Sequence, residues 1–303
     1  MLALENVASI FVLTVLPVYL VASAGYLLAG HVAIDARSVG RMLFYLATPA
    51  LVFRSLYQTQ LDSTLLRHIV VVVVSTAVLT GALGWMASMG TERKTRAGLL
   101  LTSAVSNNGN MGIPMAYFAF GPPGAALATV YYVVMSFMSN TLGPVVASIG
   151  QARLVDALKK GLRVPVLYAA SAGLLLGIAG LTVPAPFMRA IDLTADAAIP
   201  GMLILLGVQL RAAPRVQARS LILRSVAVRL LASPLIAWLI ALLLGLTGIE
   251  RNVLILQAAM PTAVMAGVLA TEFDTAPQLV ATIIFFSTAA SIVTLSVVLW
   301  LVM

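Results

Sequence analysis

The chain has 303 residues, of which 61% are hydrophobic and only 9% are charged. Because a typical soluble domain has about 25% charged residues, this composition excludes a soluble enzyme and a disordered protein. At about 20 residues per span, it predicts an all-α polytopic membrane protein with ten transmembrane helices. We attribute the net charge of +8 to membrane orientation and expect no nucleic-acid partner.

Ten apolar segments follow one another along the chain, and their continuity is typical of helices rather than barrel strands. They cover residues 6–30, 39–58, 67–89, 96–120, 124–148, 164–182, 187–210, 221–247, 252–272 and 276–302. Most basic residues fall in the loops after segments 1, 3, 5 and 7, including Arg211, Arg215, Arg219 and Arg224. Because basic loops stay in the cytoplasm, we expect a multi-pass inner (plasma) membrane protein with both termini outside.

An internal repeat relates the two halves of the chain. Residues 17–25 read PVYLVASAG, and residues 165–173 read PVLYAASAG. Proline pairs recur at nearly the same interval, namely Pro49 with Pro200 and Pro114 with Pro261. Chance similarity in an apolar chain is the alternative, but these two pairs, the pair Pro17 with Pro165 that opens the two stretches, and the shared ASAG disfavour it.

We therefore predict a first five-helix repeat over residues 1–150 and a second over residues 151–303. Since five is an odd number of spans, the second repeat would enter the membrane upside down. Such five-plus-five inverted repeats are common in secondary transporters.

Helices 4 and 9 are predicted to be broken. Helix 4 contains SNNGNMGIP at residues 106–114, and helix 9 contains QAAMP at residues 257–261. Proline opposes the preceding helical turn, and unpaired backbone inside a membrane is tolerated only within protein or beside an aqueous cavity. We expect the two breaks to cross near the middle of the membrane.

The breaks would expose helix N-termini with partial positive charge, which bind anions. Because no carboxylate lies near either break, an organic anion fits better than a cation. The candidate substrate-binding residues are Asn107, Asn108, Asn110, Pro114, Asn140, Gln257 and Pro261. The alternative is a packing kink in which asparagines bond the loosened backbone, and Asn140 can equally tie helices together.

Several charged residues lie within the predicted spans. Asp192 and Asp196 share one helix face, either as a proton-coupling pair or as a pair stabilised by the helix N-terminus. Arg229 is expected to reach the inner surface or to form a structural pair, and Arg54 to anchor at the interface. The alternative in which Arg229 attracts an arriving anion is less favoured.

No catalytic residue, metal or cofactor is expected. The chain has no cysteine, and His31 and His68 alone cannot build a metal site. An aspartyl protease would need acids converging from different helices, and phosphate-binding, metalloprotease and serine-hydrolase motifs are absent.

Four stretches make the chain resemble the auxin efflux carrier family, as a compact bacterial or archaeal member. They are NNGNMGIP at 107–114, AAIPGMLILLGVQL at 197–210, RLLASP at 229–234 and QAAMPTAVMAGVLATEF at 257–273. The resemblance implies the ten-helix fold of bile-acid and sodium/proton transporters. It also implies that Asn107, Pro114, Gln257 and Pro261 occupy the family's crossover positions, with Asn140 comparably placed.

The resemblance further implies an elevator mechanism, in which a transport domain slides past a scaffold that often forms a homodimer. The scaffold helices would be residues 6–58 and 164–210, and the transport domain residues 67–148 and 221–302. The substrate would be a small carboxylate such as malate or malonate, or an auxin-like acid. Two alternatives remain open: a sodium-coupled symporter of the bile-acid type, and a membrane domain that senses a ligand without moving it.

Overall fold

The protein is described here by a computed structural model that covers residues 7–59, 62–148, 153–211 and 218–303. These residues are almost entirely helical, and one isolated antiparallel bridge joins Ser106 to Thr262. Arg215 and the repeat boundary predicted at residue 150 lie outside the described residues. The all-α prediction is confirmed.

The helices of the described residues are numbered in chain order. They are α1 Val7–Leu28, α2 (residues 36–58), α3 Ser63–Ala87, α4 Arg93–Ala104, α5 (residues 108–120), α6 (residues 122–147), α7 Leu154–Leu162, α8 Pro165–Ile178, α9 Ala185–Arg211, α10 Arg219–Leu243, α11 Gly248–Ala258, α12 Val264–Glu272 and α13 Pro277–Val302. Gly121, with φ 67° and ψ −161°, separates α5 from α6.

Six helical runs in the described residues are long and apolar enough to cross a membrane. They are α1, α3, the run Asn108–Ala147 that contains α5 and α6, α9, α10 and α13. This supports a multi-pass membrane protein, and the count of ten spans remains a prediction.

Prolines distort several helices without ending them. A π-helical turn ends two residues before a proline in α1, α2, α5 and α10; the pairs are Phe11–Val15 with Pro17, Leu43–Ala47 with Pro49, Asn108–Gly112 with Pro114, and Val228–Ala232 with Pro234. Proline lacks the N–H of the usual helical bond and its ring clashes with the carbonyl four residues earlier. A widened turn relieves this clash while the helix continues.

Glycines bring the backbones of α1 and α9 into direct contact. A Cβ on Gly25 would collide with the backbone of Ile204, and one on Gly207 would collide with the carbonyl oxygen of Ala22. Inside a membrane the hydrophobic effect does not drive helices together, because the lipid tails are as apolar as the side chains. Small residues instead let the helix backbones approach closely, so that van der Waals packing holds them together.

The α2–α8 contact has the same construction. A Cβ on Gly173 would lie 2.7 Å from the carbonyl oxygen of Phe53, and one on Gly177 would lie 3.0 Å from that of Tyr57. Gly25 and Gly173 hold the same place in the two ASAG sequences. Each therefore contacts a helix of the other half of the chain, Gly25 contacting α9 and Gly173 contacting α2.

We expect Gly207→Ala to destabilise the protein, because the new methyl group has no space between α9 and the backbone of α1. Overpacking of this kind costs about 1–3 kcal/mol. Thermal unfolding in detergent would show a lower Tm.

The matched control is Gly40→Ala in α2, where a Cβ would lie 3.6 Å from Leu205 Cδ2, an ordinary contact. This control should unfold at the wild-type temperature or slightly above it. Equal Tm values for the two variants would contradict the close contact between α1 and α9.

Candidate functional site

The two predicted breaks are present, and the interrupted segments touch each other. Helix α4 ends at Ala104 and α11 ends at Ala258, and a short non-helical segment follows each end before the next helix begins. Val105 in the first segment and Ala263 in the second have extended backbone torsions. Within these segments, residues 105–107 and 261–263 run antiparallel around the bridge between Ser106 and Thr262.

Backbone hydrogen bonds hold this crossing together. The amide of Asn107 donates to the carbonyl of Pro261 at 2.8 Å, and the amide of Ala263 donates to the carbonyl of Val105 at 2.9 Å. The Thr262 hydroxyl adds a bond to the carbonyl of Thr102 at 2.8 Å. Polar groups released by one break thus find partners at the other, as burial requires.

Asn108 and Gln257 join the two broken helices side by side. Asn108 Nδ2 donates to the backbone oxygen of Gln257 at 2.8 Å and to its Oε1 at 3.0 Å. Gln257 Nε2 in turn donates to the carbonyl of Gly112 at 2.8 Å. Both amides are buried and use their donors on the protein, so their visible role is to fix the crossing.

Gly109 and Gly112 in α5 allow close contacts with neighbouring side chains and do not adopt an unusual backbone torsion. A Cβ on Gly112 would collide with the amide of Gln257, and one on Gly109 would lie 2.7 Å from Tyr132 Cε2. Neither glycine has a positive φ. Both glycines are therefore required because a larger side chain would not fit between the packed elements.

A cavity of about 170 Å³ opens beside the crossing. It is lined by Phe44, Val105, Ser106, Asn107, Asn108, Gly109, Asn110, Tyr132, Met135, Ser136, Ser139, Asn140, Ala263, Val264 and Met265. Four of the predicted site residues, the asparagines, thus come together. Pro114, Gln257 and Pro261 are buried but are not among the lining residues.

Asn107 presents an unused donor at this cavity. Its Nδ2 is buried and has no hydrogen-bond partner among the described residues. Asn140, by contrast, donates from Nδ2 to the carbonyl of Ser136 one turn earlier, at 2.8 Å. A buried donor without a partner is costly, so Asn107 is suited to an acceptor on a bound molecule.

Sequence reasoning missed Ser136 and Ser139, which line the cavity together with Asn140. Their spacing in YYVVMSFMSN places all three on one face of α6. The polar side chains on that face are a signal that could have been read from the sequence.

Two helix N-termini border the cavity. Its lining includes the first residues of α5, at 108–110, and the first residues of α12, at 264–265. Helix N-termini carry partial positive charge and amides without helical partners. No acidic side chain is among the lining residues, so the electrostatic environment favours an anion.

Arg229 lies at the C-terminal ends of α4 and α11 and does not line the cavity. Its Nη1 donates to the carbonyl of Ser103 at 2.6 Å, and its Nη2 donates to the carbonyl of Ala258 at 2.5 Å and to the hydroxyl of Ser233. The side chain is only 1% exposed. The expectation that Arg229 reaches the inner surface is wrong. The alternative of a structural role is the one observed, and its partners are backbone carbonyls.

Asp192 and Asp196 lie away from the crossing, in a separate cavity of about 860 Å³. Arg54 Nη1 approaches Asp196 Oδ1 at 2.6 Å and Asp192 Oδ1 at 3.9 Å. The helical run α9 is interrupted at Ala197, so Asp196 lies just before the stretch that begins at Ala198. Arg54 stabilises the pair of acids, and both a contribution from that helix N-terminus and proton coupling remain predictions.

A model of the membrane transport protein family matches residues 4–156 and 150–299 of this chain. The chain belongs to this family. The match confirms the resemblance to the auxin efflux carriers, and it makes the protein a membrane transporter rather than an enzyme.

Named relatives agree with the family. An uncharacterized transporter of Methanothermobacter thermautotrophicus is 31% identical, over 93% of this chain and 95% of its own length. A Rhizobium meliloti protein named "Putative malonate transporter" is 27% identical over 95% of this chain and 94% of its own. Auxin efflux carrier component 3a of rice, Oryza sativa subsp. japonica, is 28% identical over 44% of this chain and 22% of its own length.

We expect Gln257→Ala to destabilise the transporter, because it removes two buried hydrogen bonds, from Gln257 Nε2 to the carbonyl of Gly112 and from Asn108 Nδ2 to Gln257 Oε1. The cost is about 1–3 kcal/mol, seen as a lower Tm in detergent. A double-mutant cycle with Asn108→Ala should give a coupling energy of about 0.5–3 kcal/mol, since the two amides share one network.

Gln278→Ala on α13, an exposed glutamine, is the matched control and should leave the Tm unchanged. Strictly additive effects of Asn108→Ala and Gln257→Ala would contradict the observed link.

Proposed function

We propose that this transporter is a secondary carrier of small organic anions, and that it binds them at the crossing of the two broken helices. The observation that supports this most directly is the cavity between the N-termini of α5 and α12, where Asn107 offers an unpartnered amide and no acid is present. A carboxylate there would accept hydrogen bonds from neutral donors and interact favourably with both helix ends.

Cavity size favours a small substrate. About 170 Å³ is well below the roughly 300–1,000 Å³ of sites for drug-sized ligands, and so below what a bile acid needs. Carboxylates such as malate or malonate fit this size better than auxin-like acids do. The name of the Rhizobium meliloti relative points the same way.

The proposed topology is ten spans in two inverted repeats. The two discontinuous pairs, α4 with α5 and α11 with α12, would each form one span, and α2 and α8 would complete the ten. The equivalent glycines Gly25 and Gly173, which make equivalent contacts in the two halves, support the repeat. Both termini would lie outside an inner membrane.

The way the helices are joined supports the proposal of an elevator mechanism. The close contacts of α1 with α9 and α2 with α8 lie within the proposed scaffold, residues 6–58 and 164–210, which would form the homodimer. The crossing and Arg229 lie within the proposed transport domain, residues 67–148 and 221–302. Phe44 of the scaffold also lines the cavity, so sliding of the transport domain would uncover the site.

We expect Asn107→Ala to abolish transport of malonate or malate into proteoliposomes while leaving expression and the Tm nearly unchanged. The reason is that Asn107 Nδ2 bonds no protein group among the described residues, so its loss removes a substrate contact and not a structural one.

Asn252→Ala on α11 is the control, since Asn252 interacts with Arg251 and does not line the cavity. Unchanged transport by Asn107→Ala would refute the assignment of the site.

We also expect transport to continue when sodium is replaced by choline. The cavity offers no carboxylate ligand for sodium, and the described residues contain no group of three or more His, Asp or Glu side chains suited to a metal ion. A sodium-coupled symporter would stop in choline, and that result would replace the present proposal with the alternative one.

A further inference from the structure

Arg229 is a buried cation that has no carboxylate partner in the described part of the chain. None of the four ion pairs found among the described residues includes it, although its side chain is 1% exposed. An isolated buried charge costs several kcal/mol unless other groups compensate it. The compensation must therefore come from the groups that Arg229 touches.

Those groups are the ends of the two broken helices. Ser103 belongs to the last turn of α4 and Ala258 is the last residue of α11, and Arg229 donates to the carbonyls of both. The hydroxyl of Ser233 also donates to the carbonyl of Ala258, at 2.7 Å. One guanidinium thus binds both C-terminal ends at once.

The charges of the four helix ends and of Arg229 therefore do not cancel at the crossing. Each helix C-terminus carries about half a negative charge and each N-terminus about half a positive charge. Arg229 offsets the two negative ends of α4 and α11, whereas no acidic side chain offsets the positive ends of α5 and α12 at the cavity. The crossing as a whole retains a positive charge, and the cavity is where an anion can meet it.

We propose that Arg229 is a positioning residue that makes the site selective for anions, by neutralising the negative helix ends and holding them together. This inference rests on the proposed function, since it concerns the same cavity. Arg229 contacts the helix ends and does not line the cavity, so it acts on the substrate through the field and the placement of α5 and α12.

The test compares malonate with malonamide, a neutral ligand of nearly the same shape. Binding to the full chain in detergent would be measured by thermal shift, for the wild type, Arg229→Gln and Arg229→Lys. Gln keeps hydrogen-bond donors without the charge, and Lys keeps the charge. Arg224→Gln is the control, because Arg224 is on the same helix and donates to the carbonyl of Ala87 at the protein surface.

The wild type should prefer malonate. Arg229→Gln should lose about tenfold of that preference, since one charge in a water-poor site changes a binding constant by roughly this factor. Arg229→Lys and Arg224→Gln should keep it. A purely structural role predicts instead that Arg229→Gln weakens both ligands equally and keeps the preference, which would overturn the proposal.

The use of ratios keeps the test valid if the variants are less stable, because a lower Tm affects both ligands alike. If Arg229→Gln does not fold, Arg229→Lys decides, and loss of the preference despite the retained charge would overturn the proposal. A wild type that binds neither ligand, or prefers malonamide, would instead contradict the proposed function.

Discussion

The need to pair backbone polar groups away from water governs this structure. A helix that stops inside an apolar layer releases carbonyls at one end and amides at the other, and each unpaired group costs several kcal/mol. Here one break supplies the partners of the other, through Asn107 with Pro261 and Ala263 with Val105. A single broken helix would lack these partners, so the two breaks are physically interdependent.

The same requirement separates two kinds of polar residue at the crossing. The side-chain amides of Asn108 and Gln257 donate hydrogen bonds to other protein groups and hold the two broken helices together. Asn107 pairs through its backbone, and its side-chain donor has no partner among the residues that the structure describes. Neighbouring asparagines in one motif can therefore be divided between structure and binding, which residue type alone does not reveal.

The sequence indicated the helical class, the two breaks and their meeting, because prolines and asparagines in apolar segments leave few other solutions. It did not indicate the role of Arg229, since a long basic side chain in a helix can either reach water or turn inward. The direction depends on whether buried acceptors lie within reach, and the carbonyls of Ser103 and Ala258 come from helices distant in the chain. For the same reason Arg54 could not be paired with Asp196 beforehand.

Movement of one group of helices past another needs a rigid interior and a boundary that can change partners. The crossing has the first property, since backbone bonds, the Asn108–Gln257 link and the buried Arg229 all join helices of the proposed transport domain. The proposed elevator mechanism requires the second property at the boundary, where Tyr19 of α1 donates to the carbonyl of Thr288 at 2.9 Å and meets the hydroxyl of Ser291 at 2.7 Å. A hydroxyl pair of this kind contributes only about 1 kcal/mol net, so exchanging it for other partners is far easier than opening the crossing.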